Sequence, residues 1–304
     1  MADQSDIRIG LIGLGNAGQA ILQPLSASVS VHVFDRNTER YRDLPAICQQ
    51  APIIETSAAE LAKACDLIIF SLPTPAASLS VAEEICTALK PQAIILETST
   101  VRPEDVEAVH TIIAATGARV VDAAVVGGVH KLAQGKGVFL AGVPEEDAGI
   151  VGVVLRKMAE EILFLGARGD GMRTKLIVNG VAHAAYVVLL EAGALAAKQN
   201  IPLTVLYKLL ARESGLMRPL THRFGERLRA GNFDGGMSTN NAHKDSGLIL
   251  DVAHKLGVPL FATEAAHGVY EKAIAEGLGT LDYASVGKLW EKWLGVSFAE
   301  DAKT

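Results

Sequence analysis

An apolar run, Ile7–Ile12, leads directly into Gly13-Leu14-Gly15-Asn16-Ala17-Gly18, and a helix-like stretch, Asn16–Ser28, follows. This is G-x-G-x-x-G in a strand–turn–helix setting. Gly13 allows the tight turn, Gly15 the close approach of a pyrophosphate, and Gly18 the packing of helix on strand. The helix start, with Leu14, Asn16 and Ala17 around it, offers unbonded N–H groups and a partial positive charge to phosphates. A second apolar run, Val29–Phe34, ends on Asp35. A carboxylate there accepts hydrogen bonds from the adenine ribose hydroxyls and repels a 2′-phosphate, which favours NAD. Arg36 beside it either stacks on adenine or pairs with a 2′-phosphate, so NADP stays open. The glycine pattern alone is weak; with the strand before, the helix after and the acid at the end of the next run, it specifies a dinucleotide.

The apolar runs continue at Leu67–Ser71, Ala93–Glu97, Arg119–Ala123, Gly137–Ala141 and Ile162–Leu165, with helix-like stretches Ser57–Ala64, Thr74–Leu89 and Pro103–Thr116 between the earlier ones. Continuous apolar strands separated by helices fit a parallel sheet covered on both faces. Pro91 and Gly117 sit just past helix ends, where they stop the helix. Beyond residue 168 strand-like runs vanish. Stretches with a 3.6-residue period take over: Met172–Gln199, Pro202–Arg212, Met217–Ala230, Asn240–Leu256, Leu260–Glu276 and Tyr283–Trp293. The expected architecture is α/β, with an N-terminal doubly wound (Rossmann) parallel-sheet domain over residues 1–167. An all-α C-terminal domain over 168–304 joins it through a long helix. That helix is apolar nearly all round, so it is expected to be buried between domains or subunits.

With 304 residues, 49% of them hydrophobic and 20% charged, the chain can bury a large core, which excludes wholesale disorder. A net charge of −6 without a dense Lys/Arg run argues against nucleic acid. The three cysteines, Cys48, Cys65 and Cys86, lack zinc-knuckle spacing and are expected to be buried free thiols in a reducing compartment. The N-terminal apolar stretch carries Arg8, Asn16 and Gln19 and is preceded by acidic residues, unlike a signal peptide. No apolar run is read as approaching the ~20 residues of a membrane span. A cytoplasmic protein with no membrane partner is expected.

Further along, Gly127 and Gly128 follow a strand-like run, where bare N–H groups either converge on an anion such as a carboxylate or form an ordinary turn. Lys175 and Asn179 lie one turn apart at the start of the long helix, with His183 on the same face. Among apolar neighbours, that lysine either snorkels to water or points into a polar pocket. His243-Lys244-Asp245 reads by itself as a solvated helix start.

Taken together, these motifs resemble the β-hydroxyacid dehydrogenase family, which includes the 3-hydroxyisobutyrate, tartronate-semialdehyde and 6-phosphogluconate enzymes. The resemblance spans essentially the whole chain. It rests on Gly13–Gly18, on Asp122 with Gly127-Gly128, on Gly169-x-Gly171-x-x-x-Lys175-x-x-x-Asn179, and on Lys244-Asp245, with smaller matches at Leu72-Pro73 and Ser99-Thr100. It implies an NAD(P)-dependent enzyme that transfers a hydride between nicotinamide and the 3-hydroxy or semialdehyde carbon of a small carboxylic acid. Lys175 would be the general acid/base, with a pKa lowered by desolvation. Asn179 would orient the substrate or Lys175, and Gly127 and Gly128 would hold the carboxylate. Leu72, Pro73 and Thr100 would border the cofactor. Lys244 would contact the cofactor or the substrate carboxylate, supported by Asp245. No metal is implied, and no metal-ligand spacing is visible. A homodimer or homotetramer would cover the long helix.

The chain departs from the family pattern where a Pro and a Ser usually precede the glycine pair; here Ala124 and Val126 stand there. A branched apolar side chain replaces a hydroxyl, so a bulkier or less polar substrate is expected, with His130 as an added donor. Imine reductases share the architecture but commonly carry another residue at the place of Lys175, so Lys175 argues for C=O chemistry. A decarboxylating dehydrogenase and a non-catalytic dinucleotide sensor are the remaining alternatives.

Overall fold

The computed structural model describes residues 7–212 and 216–299. The chain divides into two compact units, residues 1–180 and 181–304.

The first unit alternates strands and helices: β1 (Ile9–Ile12), α1 (Asn16–Leu25), β2 (His32–Phe34), α2 (Leu44–Ile47), β3 (Ile53–Ile54), α3 (Ala58–Ala64), β4 (Leu67–Phe70), α4 (Pro75–Ile85), β5 (Ile94–Glu97), α5 (Pro103–Ile113), β6 (Arg119–Val126), α6 (Gly128–Ala133), β7 (Gly137–Ala141), α7 (Gly149–Leu155) and β8 (Ala159–Phe164). The eight strands form one sheet in the order β3-β2-β1-β4-β5-β6-β7-β8. From β1 the chain winds outward through β2 to β3, then crosses back to lay β4 on the other side of β1. That reversal opens a crevice beyond the carboxyl ends of β1 and β4, where doubly wound sheets bind ligands.

The unbroken apolar runs have a simple cause. Successive strand residues point to opposite faces, and both faces are covered. Ile9 and Leu11 of β1, Leu67 and Ile69 of β4, and Ile94 and Leu96 of β5 enter one buried cluster. Ile12, Ile68, Phe70 and Ile95 enter the other. Helix starts follow local chemistry. The Ser57 hydroxyl accepts the Glu60 N–H at α3, and the Thr74 hydroxyl accepts the Ala77 N–H at α4, where Pro75 opens the helix.

The sheet is not wholly parallel. β6 and β7 pair antiparallel, from Ala123 against Ala141 to Val126 against Val138, and this pairing carries β6 beyond the expected Ala123 to Val126. β3 is a two-residue exposed edge, too short for hydrophobic periodicity to mark.

The long helix α8 (Asp170–Lys198) crosses the boundary between the two units. It is long and apolar enough, by length and composition, to cross a membrane, which corrects the sequence expectation. Asn179, His183 and Glu191 break the apolar run to the eye without lowering its average enough. Both halves of α8 are nonetheless bonded into protein. The N–H of Met172 reaches the buried Asp122 carboxylate, and the buried Glu191 carboxylate accepts the Ala262 and Thr263 N–H groups.

The second unit holds α9 (Leu203–Leu210), a π-helical segment (Pro219–Leu228), α10 (Thr239–Leu256), α11 (Phe261–Ala275) and α12 (Gly287–Leu294). Where the sequence implied an ordinary helix over Met217–Ala230, the turn widens, and the Arg229 N–H reaches back five residues to the Phe224 carbonyl at 3.2 Å. Within the single chain the middle of α8 is exposed, with Ile177 70% and Val181 67% accessible.

Candidate dinucleotide and substrate site

The crevice at the β1/β4 reversal is a cleft of ≈ 470 Å³, lined among others by Gly13, Gly15, Asn16, Ala17, Asp35, Arg36, Leu72 and Pro73. Its floor explains the glycines. Gly13 has φ +98°, and a side chain there would meet the Ser71 carbonyl oxygen at 2.2 Å. A Cβ on Gly18 would lie 2.0 Å from the Gly13 carbonyl oxygen. At Gly15, by contrast, nothing stands within 4 Å, so this position is bare toward open space. Gly15 also caps α1, which has neither a side-chain cap nor an acidic residue in its first turn. The exposed N–H groups and positive end of α1 are therefore left for an anion, which is the fit a pyrophosphate requires.

Asp35 sits half-buried beside this helix end. Its Oδ2 accepts the Leu14 N–H and its Oδ1 the Asn37 N–H, each at 2.7 Å. These bonds fix the carboxylate, and each oxygen keeps a further acceptor position for ribose hydroxyls. Tyr41 steadies the same turn: its hydroxyl donates to the Asp35 carbonyl and accepts the Asp35 N–H. Arg36 forms an exposed ion pair with Glu84 of α4 at 3.0 Å. Arg40 and Asn37 also line the cleft and were missed in the sequence, because they follow the acid in a short helical turn with no motif of its own.

The opposite wall is tied together from below. Ser99 accepts the Leu72 N–H on its hydroxyl at 2.8 Å, and its own N–H goes to Glu97 Oε1 at 2.8 Å. Glu97 is fully buried, and that burial pushes its pKa up to about 7. Thr100, next in the chain, is exposed.

Asp122 organises the rest. It is completely buried on β6 and accepts the N–H groups of Gly169 at 2.7 Å and Met172 at 2.9 Å, so it caps α8. Burial raises its pKa, and the two N–H bonds pull it back. The glycines at 169 and 171 serve this junction. Gly169 has φ +90°, and a Cβ on Gly171 would meet the Leu140 carbonyl oxygen at 2.3 Å. The start of α8 is thereby fixed to the strand that ends in the glycine pair.

Lys175 and Asn179, both half-buried, follow on this pinned segment. Desolvation lowers the Lys175 pKa, and among the described residues its ammonium has no hydrogen-bond or ion-pair partner. Val126 ends β6 half-buried, and Gly127 and Gly128 follow, exposed and left-handed at φ +99° and +81°. His130 is exposed on α6 with its Nε2 3.0 Å from the Gln134 amide. Lys244 belongs to the second unit, exposed on α10 and paired with Asp245 at 2.8 Å. His183 is exposed.

The comparisons with known proteins agree with this geometry. Residues 8–166 match the NAD-binding domain of 6-phosphogluconate dehydrogenase, and residues 169–290 match the corresponding domain of NADP-dependent 3-hydroxyisobutyrate dehydrogenase. The chain is 30% identical to the mitochondrial 3-hydroxyisobutyrate dehydrogenase of Drosophila melanogaster, over 93% of this chain and 89% of that one. Among solved structures, the 3-hydroxyisobutyrate dehydrogenase of Mycobacterium tuberculosis, determined with L-serine, is 26% identical, with a TM-score of 0.63 over 93% of this chain and 99% of that one. An imine reductase from Pseudomonas sp. shares the fold alone, at 22% identity and a TM-score of 0.81 over 93% of this chain and 99% of that one. A dinucleotide cleft, a capped α8 carrying a desolvated lysine and these matches along the chain make it a member of the β-hydroxyacid dehydrogenase family, the NAD(P)-dependent oxidoreductases that act on CH–OH.

Proposed function

We propose that the chain interconverts a small 3-hydroxy carboxylic acid and its semialdehyde or keto form, with Lys175 as the general acid/base. The observation that carries this reading is the state of Lys175: half-buried, without a counter-ion among the described residues, and with a pKa lowered by desolvation. Such an amine exchanges protons nearer neutral pH than an ordinary lysine does. Bound in the β1/β4 cleft, the nicotinamide would supply the two-electron acceptor or donor. In oxidation, neutral Lys175 takes the proton of the substrate hydroxyl as the carbonyl forms. In reduction, its ammonium returns that proton to the nascent alkoxide. Asn179, one turn on, orients the substrate oxygen or the Lys175 amine by hydrogen bonding.

The bare N–H groups around Gly127 and Gly128 receive the substrate carboxylate, and Thr100 borders the nicotinamide with Leu72 and Pro73. Val126 and His130 set the shape and polarity of the acid that fits. Lys175 favours a carbonyl over the imine of the structural neighbour, because carbonyl reduction needs a proton for the developing oxyanion. NAD is favoured over NADP, since Asp35 is fixed as an acceptor where a 2′-phosphate would lie and Arg36 is drawn to Glu84.

The exposed apolar side chains of α8 and α9 support a homo-oligomer, dimer or tetramer, that covers them. Cys65 is buried as expected, whereas Cys48 and Cys86, at the ends of α2 and α4, are only half-buried; all three are free thiols, which fits a cytoplasmic setting. The test is a reduced-nicotinamide absorbance screen pairing NAD and NADP with a panel of 3-hydroxy acids, run beside Lys175→Ala. Turnover that vanishes in the variant supports the assignment. Equal turnover in both removes Lys175 from the chemistry.

A further inference from the structure

Within the second unit, α10 and α11 bring His243 together with His267 and Glu271, which lie one turn apart on α11. The two imidazoles stack with ring centroids 4.2 Å apart and planes inclined by 20°. Both Nε2 atoms face the same carboxylate oxygen, Glu271 Oε1, from 3.7 Å for His243 and 3.6 Å for His267. Neither distance is a hydrogen bond. Each of the three offers one ligand atom, all within 4.8 Å of one another.

The protonation pattern follows from the neighbours. The Ser246 hydroxyl lies 2.9 Å from the Ala242 carbonyl oxygen and 3.0 Å from that of His243, so its single hydrogen is committed to backbone acceptors. With that hydrogen on a backbone carbonyl, the ring N–H of His267 is the donor in the 2.8 Å contact between Nδ1 and Ser246 Oγ. With Nδ1 protonated, a neutral His267 presents a bare Nε2 lone pair toward Glu271. This is the arrangement by which metal-binding histidines are held in one tautomer. The Nε2 of His243 is buried and has no hydrogen-bond partner among the described residues. Two imidazole nitrogens and a carboxylate oxygen thus crowd one small volume with no hydrogen bond between them. Three ligand atoms so placed are a set that one cation can bind together.

We propose that His243 Nε2, His267 Nε2 and Glu271 Oε1 form a site for one divalent transition-metal cation, with water completing the coordination. A shared proton would draw one pair to about 2.7–2.9 Å, the range of charge-assisted hydrogen bonds. The observed 3.6 and 3.7 Å lie instead a few tenths above the roughly 3.3 Å ligand–ligand edge of a tetrahedral site with bonds near 2.0–2.1 Å. Small rotations of the stacked rings converge their lone pairs. Two imidazoles and a single carboxylate select zinc, cobalt or nickel over calcium or magnesium, which prefer all-oxygen shells. Glu271 is exposed, which gives the ion an entry path and room for water. A bound ion would tie α10 to α11 beside Lys244 and stabilise the second unit by mass action.

The test uses tag-free, chelator-treated full-length protein. It is titrated with cobalt(II), read by visible ligand-field absorption, and then with zinc(II) by calorimetry. One cobalt per chain, displaced by zinc, is expected. Glu271→Gln and His267→Ala should lose the signal, and Ser246→Ala should weaken binding by about tenfold. Because Glu271 is exposed, its variant keeps the test decisive if His267→Ala fails to fold. No cobalt uptake by the unmodified protein overturns the proposal, as does uptake undiminished in Glu271→Gln and His267→Ala, which would place the ion elsewhere.

Discussion

In the unit spanning 1–180, β1 and β4 are buried at every residue, and their side chains fill two closed clusters. In the unit spanning 181–304, α9 reads Leu-Thr-Val-Leu-Tyr-Lys-Leu-Leu and buries none of its residues. Tyr207 is 73% accessible, and the apolar clusters of that unit are small, one built on Leu250 and Leu260 and another on Leu228 and Phe233. Apolar composition is thus satisfied internally in one unit and left open in the other. The first carries a finished cleft, whereas the second leaves apolar side chains of α9 exposed.

If the finished unit houses the chemistry, its functional groups should be separable from its stability. Lys175→Ala is the sharpest case. Proton transfer by a positioned side chain contributes about 10²–10⁴-fold, so kcat should fall by that factor. Cofactor affinity and urea midpoint should hardly change, because Lys175 has no partner to lose among the described residues. A parallel fall in NAD affinity would place the lysine in binding instead. Unmutated Lys175 should also impose opposite pH trends. Oxidation needs the neutral amine and gains as pH rises through the lowered pKa, while reduction needs the ammonium and gains as pH falls.

Asp122→Ala should do the reverse and damage the frame first. It orphans the buried Gly169 and Met172 N–H groups, at a cost of about 2–5 kcal/mol in urea unfolding. Activity should fall with it, since α8 would no longer be held to β6. Unchanged stability would mean that the cap is dispensable and that the first unit is less closed than its burial implies.

Glu97 offers a pH-resolved version. Its folded pKa of about 7 stands above the ordinary 4.5, so the folded state holds the proton more tightly than the unfolded chain does. The stability this contributes is full below 4.5 and is lost as pH rises to about 7. By linkage that amounts to about 3 kcal/mol. Glu97→Gln keeps an acceptor for the Ser99 N–H and removes the charge, so its stability should vary less between pH 5 and pH 8. Equal slopes in both proteins would show that the carboxyl is not insulated from water.

The open unit makes its own forecast. Tyr207→Glu places a charge on the exposed apolar face and should weaken self-association about tenfold, roughly 1.4 kcal/mol. Analytical ultracentrifugation reads the shift. Hydrogen exchange in α9 should accelerate on dissociation while β1 and β4 stay protected. A wild type that sediments as a monomer at all concentrations would leave the apolar face to a different partner.

Legibility in the sequence followed the range of the interactions. Gly13, Gly15, Gly18 and Asp35 were readable because a turn, a helix start and a strand end are local events, and Asp35 closes its ring of bonds on Leu14 and Asn37. Helix ends at Ser57, Thr74 and Gly117 were readable for the same reason. The bonds of Asp122 to Gly169 and Met172 join residues far apart in the chain, so no window along the sequence contains them. The antiparallel β7 was equally hidden, because strand direction leaves no mark on an apolar run. The nearly all-round apolar α8 announced burial without saying against what. His243 read as part of a solvated helix start, and its approach to His267 and Glu271 appears only where α10 lies beside α11.

The smallest effect concerns the rim of the cleft, where the finished unit meets solvent. Arg36 is held by Glu84 in an exposed pair, and such pairs contribute only about 0.2–1 kcal/mol. Glu84→Ala should therefore release the guanidinium toward the position of a 2′-phosphate and raise NADP use relative to NAD by only about two- to fivefold. The order of preference should survive, because Asp35 stays fixed by the Leu14 and Asn37 N–H groups and still repels the phosphate. Steady-state kcat/KM for both cofactors decides the point. A ratio that does not move would show that Glu84 is not what restrains Arg36. A complete reversal would mean that Arg36 and Arg40, rather than Asp35, govern which dinucleotide the cleft takes.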